Sequence, residues 1–365
     1  MQARTVSRAL VSVSGFALAS CLLAVTPANA AIAPCATGIT ADVKVFLSGP
    51  YDDATDLMSD GLRTGFVAGN PVLPTSEPYS GLGYLLRGGE GSTVVLGDTS
   101  MAGPASAPVD WVVVELRSAS DPSVIVATDV TVVERDGTVV APSFTVKPGS
   151  YYVAIRHRNH LGVMTANPVV FDGVTAPPID FTDPATPLYV RTLNATGIQQ
   201  TTVEGGTLLA LWTGDADGNK QVKFDAPDDD PSELLSEVLN YPGNIAMVTI
   251  YDFAFGYFGG DVNMDGKSKY DAPDDDQNVI YFTVLNYPDN GTSATDYDFL
   301  FEQVPAPSTL AADTDPAYCT SAVAALPPTG GGATTPALVI GGTLLAAGLA
   351  VGVVAARTRR RADVG

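Results

Sequence analysis

Between Ala41 and about Leu211 the apolar positions fall in short runs rich in β-branched and aromatic residues, with no long helical period between them. Asp110–Leu116, Ser123–Ala127, Asp129–Glu134 and Tyr151–Arg156 each read as a strand. Turn chemistry separates them at Ser120-Asp121-Pro122, Arg135-Asp136-Gly137 and Lys147-Pro148-Gly149. Such spacing predicts a mainly β protein, with an antiparallel β-sandwich domain over residues 31–212. Residues 174–187, rich in Pro and Asp, read as a linker or long loop before strand-like sequence resumes at 189–212.

The pattern then changes. Gly214 to about Phe255 matches Gly260 to about Phe301 at a constant offset of 46, without a gap. Each copy opens on an acidic loop and continues into a predicted helix, Ser232–Asn240 or Asn278–Asn286. Pro242 and Pro288 close these helices. A second short helix is expected over Tyr251-Asp252-Phe253 and Tyr297-Asp298-Phe299. Residues 213–303 thus read as a small α-helical duplicated module, and residues 304–325 as a Pro- and Thr-containing linker with little to bury.

Both ends carry long apolar runs. Arg4 and Arg8 precede an apolar stretch that ends in Ala28-Asn29-Ala30, which predicts an export signal over residues 1–30. Leu18-Ala19-Ser20-Cys21 also fits a lipoprotein box, but the apolar core runs on past Cys21. Near the other end, Leu326-Pro327-Pro328-Thr329-Gly330 precedes an uncharged stretch from Ala337 to Ala356, long enough to span a bilayer. Arg357, Arg359, Arg360 and Arg361 follow it, as the positive-inside rule expects. Over residues 326–365 this order resembles the LPxTG sorting signal of Gram-positive surface proteins. The resemblance implies cleavage by a sortase between Thr329 and Gly330, joining of Thr329 to peptidoglycan, and membrane contact only through the C-terminal segment before sorting. A plain C-terminal membrane anchor is the alternative.

Without the two ends, the chain keeps 13 basic and 39 acidic side chains, a net of −26. Such a surface repels nucleic acid and attracts cations. Cys35 and Cys319 remain, one near each processing site. An exported setting permits a disulfide between them, and two free thiols are the alternative.

The candidate chemistry lies in the two acidic loops. Asp261, Asn263 and Asp265 put oxygen side chains at positions 1, 3 and 5, with Gly266 at 6 and the Lys267 carbonyl at 7. This is the opening half of an EF-hand calcium loop. Position 12 is Ala272, so closure falls to a later carboxylate, Asp276 or else Asp274. Loop 1 supplies Asp215, Asp217, Asn219 and Gln221, with Asp230 as the matching closing ligand. Lys220 stands where loop 2 has Gly266, and a non-glycine residue is strained in a left-handed conformation, so loop 1 is expected to bind more weakly. Helix capping by the Asp clusters is the other account of these residues. The paired loops resemble divergent dockerin-like repeats of secreted bacterial proteins, and that resemblance implies calcium as the cofactor.

His157 and His160, the two histidines of the chain, form with Arg156 and Arg158 a basic tip after a predicted strand. Hydrogen-bonded or solvated side chains are the expectation there, with metal binding or catalysis as the alternative. The sequence as a whole points to a cell-wall-anchored, calcium-binding extracellular protein. Its β domain is expected to meet a protein or glycan ligand rather than act as an enzyme. The rival readings are a polysaccharide-active enzyme, using carboxylates such as Glu115 or Glu134, and a dockerin-like recruiter.

Overall fold

The structure, a computed structural model, describes residues 38–312, apart from 68, 192–197, 226, 272 and 274, together with 317 and 318. The export signal, Cys21, Cys35, Cys319, Ala272, Asp274, Thr329, Gly330 and the 337–356 stretch lie outside the described residues. Among the described residues no helix is long and apolar enough to cross a membrane.

The protein is mainly β. Among the described residues nine strands build one sheet: β1 (Asp42–Lys44), β2 (Pro108–Ser118), β3 (Val124–Glu134), β4 (Thr138–Val139), β5 (Gly149–Arg156), β6 (Val163–Met164), β7 (Val169–Phe171), β8 (Pro178–Asp180) and β9 (Thr309–Leu310). Their spatial order is β6–β5–β2–β3–β4–β1–β8, with β7 also on β5 and β9 on β3. Pairing is antiparallel except at β8 on β1 and β9 on β3. The long hairpin β2–β3 is the centre. Nine consecutive residues of β2, Val109 to Arg117, are buried, so chain covers both of its faces. The two runs expected as separate strands on either side of Thr128 are one continuous β3. Thr128 stays in register while its hydroxyl donates to the Gly88 carbonyl at 2.7 Å. The loop lies so close there that a Cβ on Gly89, at φ +85°, would fall 2.1 Å from the Val130 nitrogen.

Two expectations need correcting. Residues 304–325 do not begin as a spacer: Thr309–Leu310 pairs with Val124–Ile125, and Ala311 and Tyr318 are buried in the sheet's core. The Tyr318 hydroxyl donates to the Val126 carbonyl at 2.5 Å. Within 174–187, Pro178–Asp180 is an edge strand rather than linker.

A buried charge network ties the end of the repeats to the sheet. Arg117 Nε and Nη2 donate to Glu115 Oε2 at 2.8 and 2.6 Å, and Arg156 bonds Glu302. Glu302 also accepts the Gly162 N–H at 3.0 Å, while Arg156 Nε lies 3.7 Å from Glu115. Removing one member strands a buried charge. Glu302→Ala should therefore cost about 3–5 kcal/mol in urea unfolding, against under about 1 kcal/mol for an exposed carboxylate such as Glu90→Ala.

Candidate metal centre

The repeat folds as two copies of one local structure, and the hydrogen bonds keep the 46-residue offset. At position 1, Asp215 accepts the Lys220 N–H at 3.1 Å, and Asp261 accepts the Gly266 N–H at 3.0 Å. At position 5, Asn219 accepts the Gln221 N–H at 2.8 Å, and Asp265 the Lys267 N–H at 3.1 Å. Asp230 takes the Ala216 N–H at 2.6 Å on one oxygen and the Lys223 N–H at 2.7 Å on the other. Asp276 repeats this with Val262 and Lys269, both at 2.9 Å. The chain wraps around each closing carboxylate.

The neighbouring aspartates have different work. After the single turn α1 (Gly61–Thr64), helix α2 (Asp230–Asn240) is capped by Asp229, which accepts the Ser232 N–H, and α3 (Asp276–Leu285) by Asp275, which accepts the Asn278 N–H. The helices start at the aspartates, two residues before the predicted starts. Capping and loop closure thus coexist: one Asp of each cluster caps while the next turns into the loop.

The expected second helices do not form. Tyr251-Asp252-Phe253 and Tyr297-Asp298-Phe299 lead into short strands, Ala254–Phe255 and Leu300–Phe301. Aromatic residues at alternate positions suit an extended chain. Each strand pairs with the loop exit of the other copy: Leu300–Phe301 with Gln221–Val222, and Ala254–Phe255 with Lys267–Ser268. The copies are therefore interlocked. They share a core of Leu234, Val238, Ile280, Val284, Val222 and Leu300.

Carboxylate oxygens of Asp215, Asp217 and Asp230 come within 4.8 Å of one another. That spacing suits calcium, whose oxygen ligands sit about 2.3–2.6 Å from the ion. Asp215, Asp230, Asp261 and Asp276 are all fully buried. Burial, opposed by Lys220, pushes the Asp215 carboxyl up to about 6. Burial and then Asp215 push Asp230 well up, while burial followed by Asp261 and Asp265 does the same to Asp276. Asp261 is raised well above its usual range by burial, against the pull of Arg158. Carboxylates so placed are poised for a counter-cation. At position 7 the Gln221 and Lys267 N–H groups point into the loops, and the carbonyl of an extended residue points to the same side as its N–H. The donor set of Asp, Asn and backbone oxygen therefore fits a hard cation.

Lys220 is left-handed at φ +74°, as its alignment with Gly266 predicts, but loop 2 has its own strained residue. Met264, at φ +61°, stands where loop 1 has Gly218. Strain at these two aligned positions therefore does not separate the loops. What does is the Lys220 ammonium, 3.4 Å from Asp215 Oδ2 and donating to the Tyr84 hydroxyl at 3.0 Å.

The sequence does not reveal what joins the loops. The segment Arg156–His160 is buried throughout rather than a surface tip. The Asn159 carbonyl accepts the N–H groups of Gly214 and Asp215, at 3.1 and 3.2 Å. Its side-chain amide donates to the carbonyls of Gly259 and Asp261 at 3.0 and 2.8 Å. One residue thus holds the start of both loops. Arg158 donates to Asp110 at 3.0 Å and lies over the Tyr257 ring. His160 Nε2 accepts the Gly49 N–H, which makes Nδ1 its donor toward His157, and His157 Nε2 donates to Asp110. The visible signal was a run of five polar residues, Arg156–His160, that begins on the last residue of a strand in an acidic chain.

The carboxylates weighed for hydrolysis are not a pair. Glu115 is sealed by Arg117 and Arg156. Glu134 lines a cavity of about 480 Å³ with Asp129. Five residues of strand separate those two by roughly 16 Å, too far for paired-carboxylate catalysis. No family model, curated protein or solved structure compared with this chain matches it.

Burial lowers the His157 pKa, offset by Asp110, and burial with His157 and Arg158 lowers that of His160 well below its usual value. The unfolded chain takes up these protons near pH 6.5 while the native state resists them. Stability should therefore fall as pH drops below 6.5, by up to about 1.4 kcal/mol per pH unit per histidine. The raised aspartates act in the opposite sense, because the native state binds their protons first. Thermal melts between pH 7 and 5 should thus fall steeply with a divalent cation present. The fall should be shallower, or reversed, in chelator.

Proposed function

We propose that the chain is a calcium-stabilised protein displayed outside the cell, built from a β-sandwich body and a duplicated dockerin-like module. The buried central hairpin supports the sandwich, since a strand covered on both faces needs a layer on each side. The observation that carries the calcium reading is the repetition of one hydrogen-bond pattern around two buried acidic loops. Asp215, Asp217, Asn219, Asp230 and the Gln221 carbonyl would hold one ion. Asp261, Asn263, Asp265, Asp276 and the Lys267 carbonyl would hold the other. Calcium would supply the positive charge that buried carboxylates need, and its role here is structural. Residues 213–303 carry 19 acidic side chains against four lysines, so ion binding and folding of this region are linked.

Calorimetry on the full chain should show two classes of calcium site. Loop 2 should be the tighter, because in loop 1 the Lys220 ammonium competes for Asp215. Asp261→Ala should remove the tight class and Asp215→Ala the weak one. At a calcium concentration 100 times the dissociation constant each site adds about 2.7 kcal/mol, so a chelator should lower the melting temperature. Magnesium, with its stricter octahedral demand, should restore it poorly. Two equal sites would overturn the ranking, and a melting curve indifferent to calcium would overturn the assignment.

Export and anchoring rest on the sequence of the two ends. The Ala28-Asn29-Ala30 signal and the order Leu326–Gly330, apolar span, arginine tail support attachment to peptidoglycan by a sortase. Thr329→Ala should shift the protein from the wall fraction to the membrane or the medium. Unchanged wall-linked material after lysozyme digestion would count against that route.

A further inference from the structure

A groove of about 620 Å³ is lined by α3, the strand Gln200–Val203 and the loop around Tyr51. Asn278 and Phe282 of α3 and Asn286 at its C-cap stand at i, i+4 and i+8, on one side of the helix, and all three are exposed. Phe282 is 53% exposed, and the core has no need of it. In the first copy the same three positions hold Ser232, Ser236 and Asn240, also exposed. The duplicated fold is thus served by serine where the second copy offers an aromatic ring to solvent.

The buried side of the groove is also unusual. Trp212 lines it at 5% exposure, yet its indole N–H has no acceptor among the described residues, and the Tyr51 hydroxyl, on the same groove, has no partner either. Buried polar groups are normally paired. Two unpaired polar groups thus border one groove.

We propose that this groove binds a neutral oligosaccharide. Electron-rich aromatic faces take the polarised C–H faces of pyranose rings, and Phe282 supplies such a ring at the surface of the groove, with Trp212 beneath. Asn278 and Asn286 offer amides that pair with neighbouring hydroxyls in donor and acceptor roles. Asp53 and Asp275, both on the groove, together with the net charge of −21, disfavour an anionic glycan or phosphate. The groove is open and mixed in character, as a chain-like ligand requires, rather than a closed apolar pocket. The proposal stands on these residues and not on the calcium assignment.

Fluorescence can read this site directly. The chain has two tryptophans, and Trp111 is 1% exposed in the sheet core, so a ligand-dependent change reports Trp212. The full chain would be titrated with four neutral hexasaccharides, the β-1,4-linked polymers of glucose, N-acetylglucosamine, xylose and mannose, in calcium and separately in chelator. At least one should give a saturable change. Phe282→Ala, an exposed site that folding tolerates, should weaken it about tenfold or more. Asn286→Ala should weaken it several-fold, and Ser236→Ala, the matching change in the first copy, should leave it intact. A folded protein with calcium-dependent melting and no response to any of the four sinks the groove proposal, as does wild-type binding by Phe282→Ala. A saccharide response with calcium-independent melting upholds the groove and overturns the calcium reading instead.

Discussion

Four aspartates, Asp215, Asp230, Asp261 and Asp276, are taken completely out of water, and the architecture around them is the means by which the chain tolerates it. A buried carboxylate needs hydrogen bonds on its oxygens and positive charge nearby. The backbone provides the first. Asp230 and Asp276 each collect N–H groups from both the start and the exit of their loop, so a single side chain closes a turn of 16 residues. Closing it requires left-handed residues inside the loop: Gly218, Lys220 and Asp228 meet that need in the first copy, and Met264 and Gly266 do so among the described residues of the second. The helix follows at once, because the closing aspartate is also its first residue and the aspartate before it is the cap.

The same constraint explains why the module is not self-contained. Asn159 reaches out of the end of β5 and bonds the first residues of both loops, so the loops, the sheet and each other's positions are fixed together. The exchanged strands add a second coupling, since the exit of each loop is held by the tail of the other copy. Unfolding one copy would expose the partner strand of the other. Loops coupled this way should unfold together, and an ion bound at either would stabilise both.

What the sequence made legible was what local chemistry dictates. The 46-residue repeat, the oxygen residues at positions 1, 3 and 5, the later closing carboxylate and the helix behind it follow from spacing and turn rules. The central strands follow from their β-branched runs. What stayed hidden depends on distant partners. Tyr251-Asp252-Phe253 reads as a short helix, and only Lys267–Ser268, which pairs with the residues after it, makes the segment extended. Thr309–Leu310 sits in a Pro- and Ala-rich stretch, and only the open edge beside Val124–Ile125 makes a strand of it. Arg156 and Arg158 look like surface residues because their partners, Glu302 and Asp110, lie far away in the chain. Buried ion pairs of high sequence separation are invisible to any rule that reads along the chain.

The duplication itself separates folding from function. Some inward-facing positions hold the same residue in the same bonds: Asn244 and Asn290 each donate to a helix carbonyl six residues back and accept the N–H four residues ahead. Several outward-facing positions diverge. Ile245, Met247 and Ile250 are exposed in the first copy, at positions where the second has Gly291, Ser293 and Asp296. The second copy in turn exposes Phe282, where the first has Ser236. Both copies fold to one design, so folding alone does not account for either apolar surface. An exposed apolar side chain that the sister copy replaces with a small polar one costs solubility without adding to the core. Such positions, rather than the loops that draw the eye in the sequence, are where the two halves of the module differ in what they can touch.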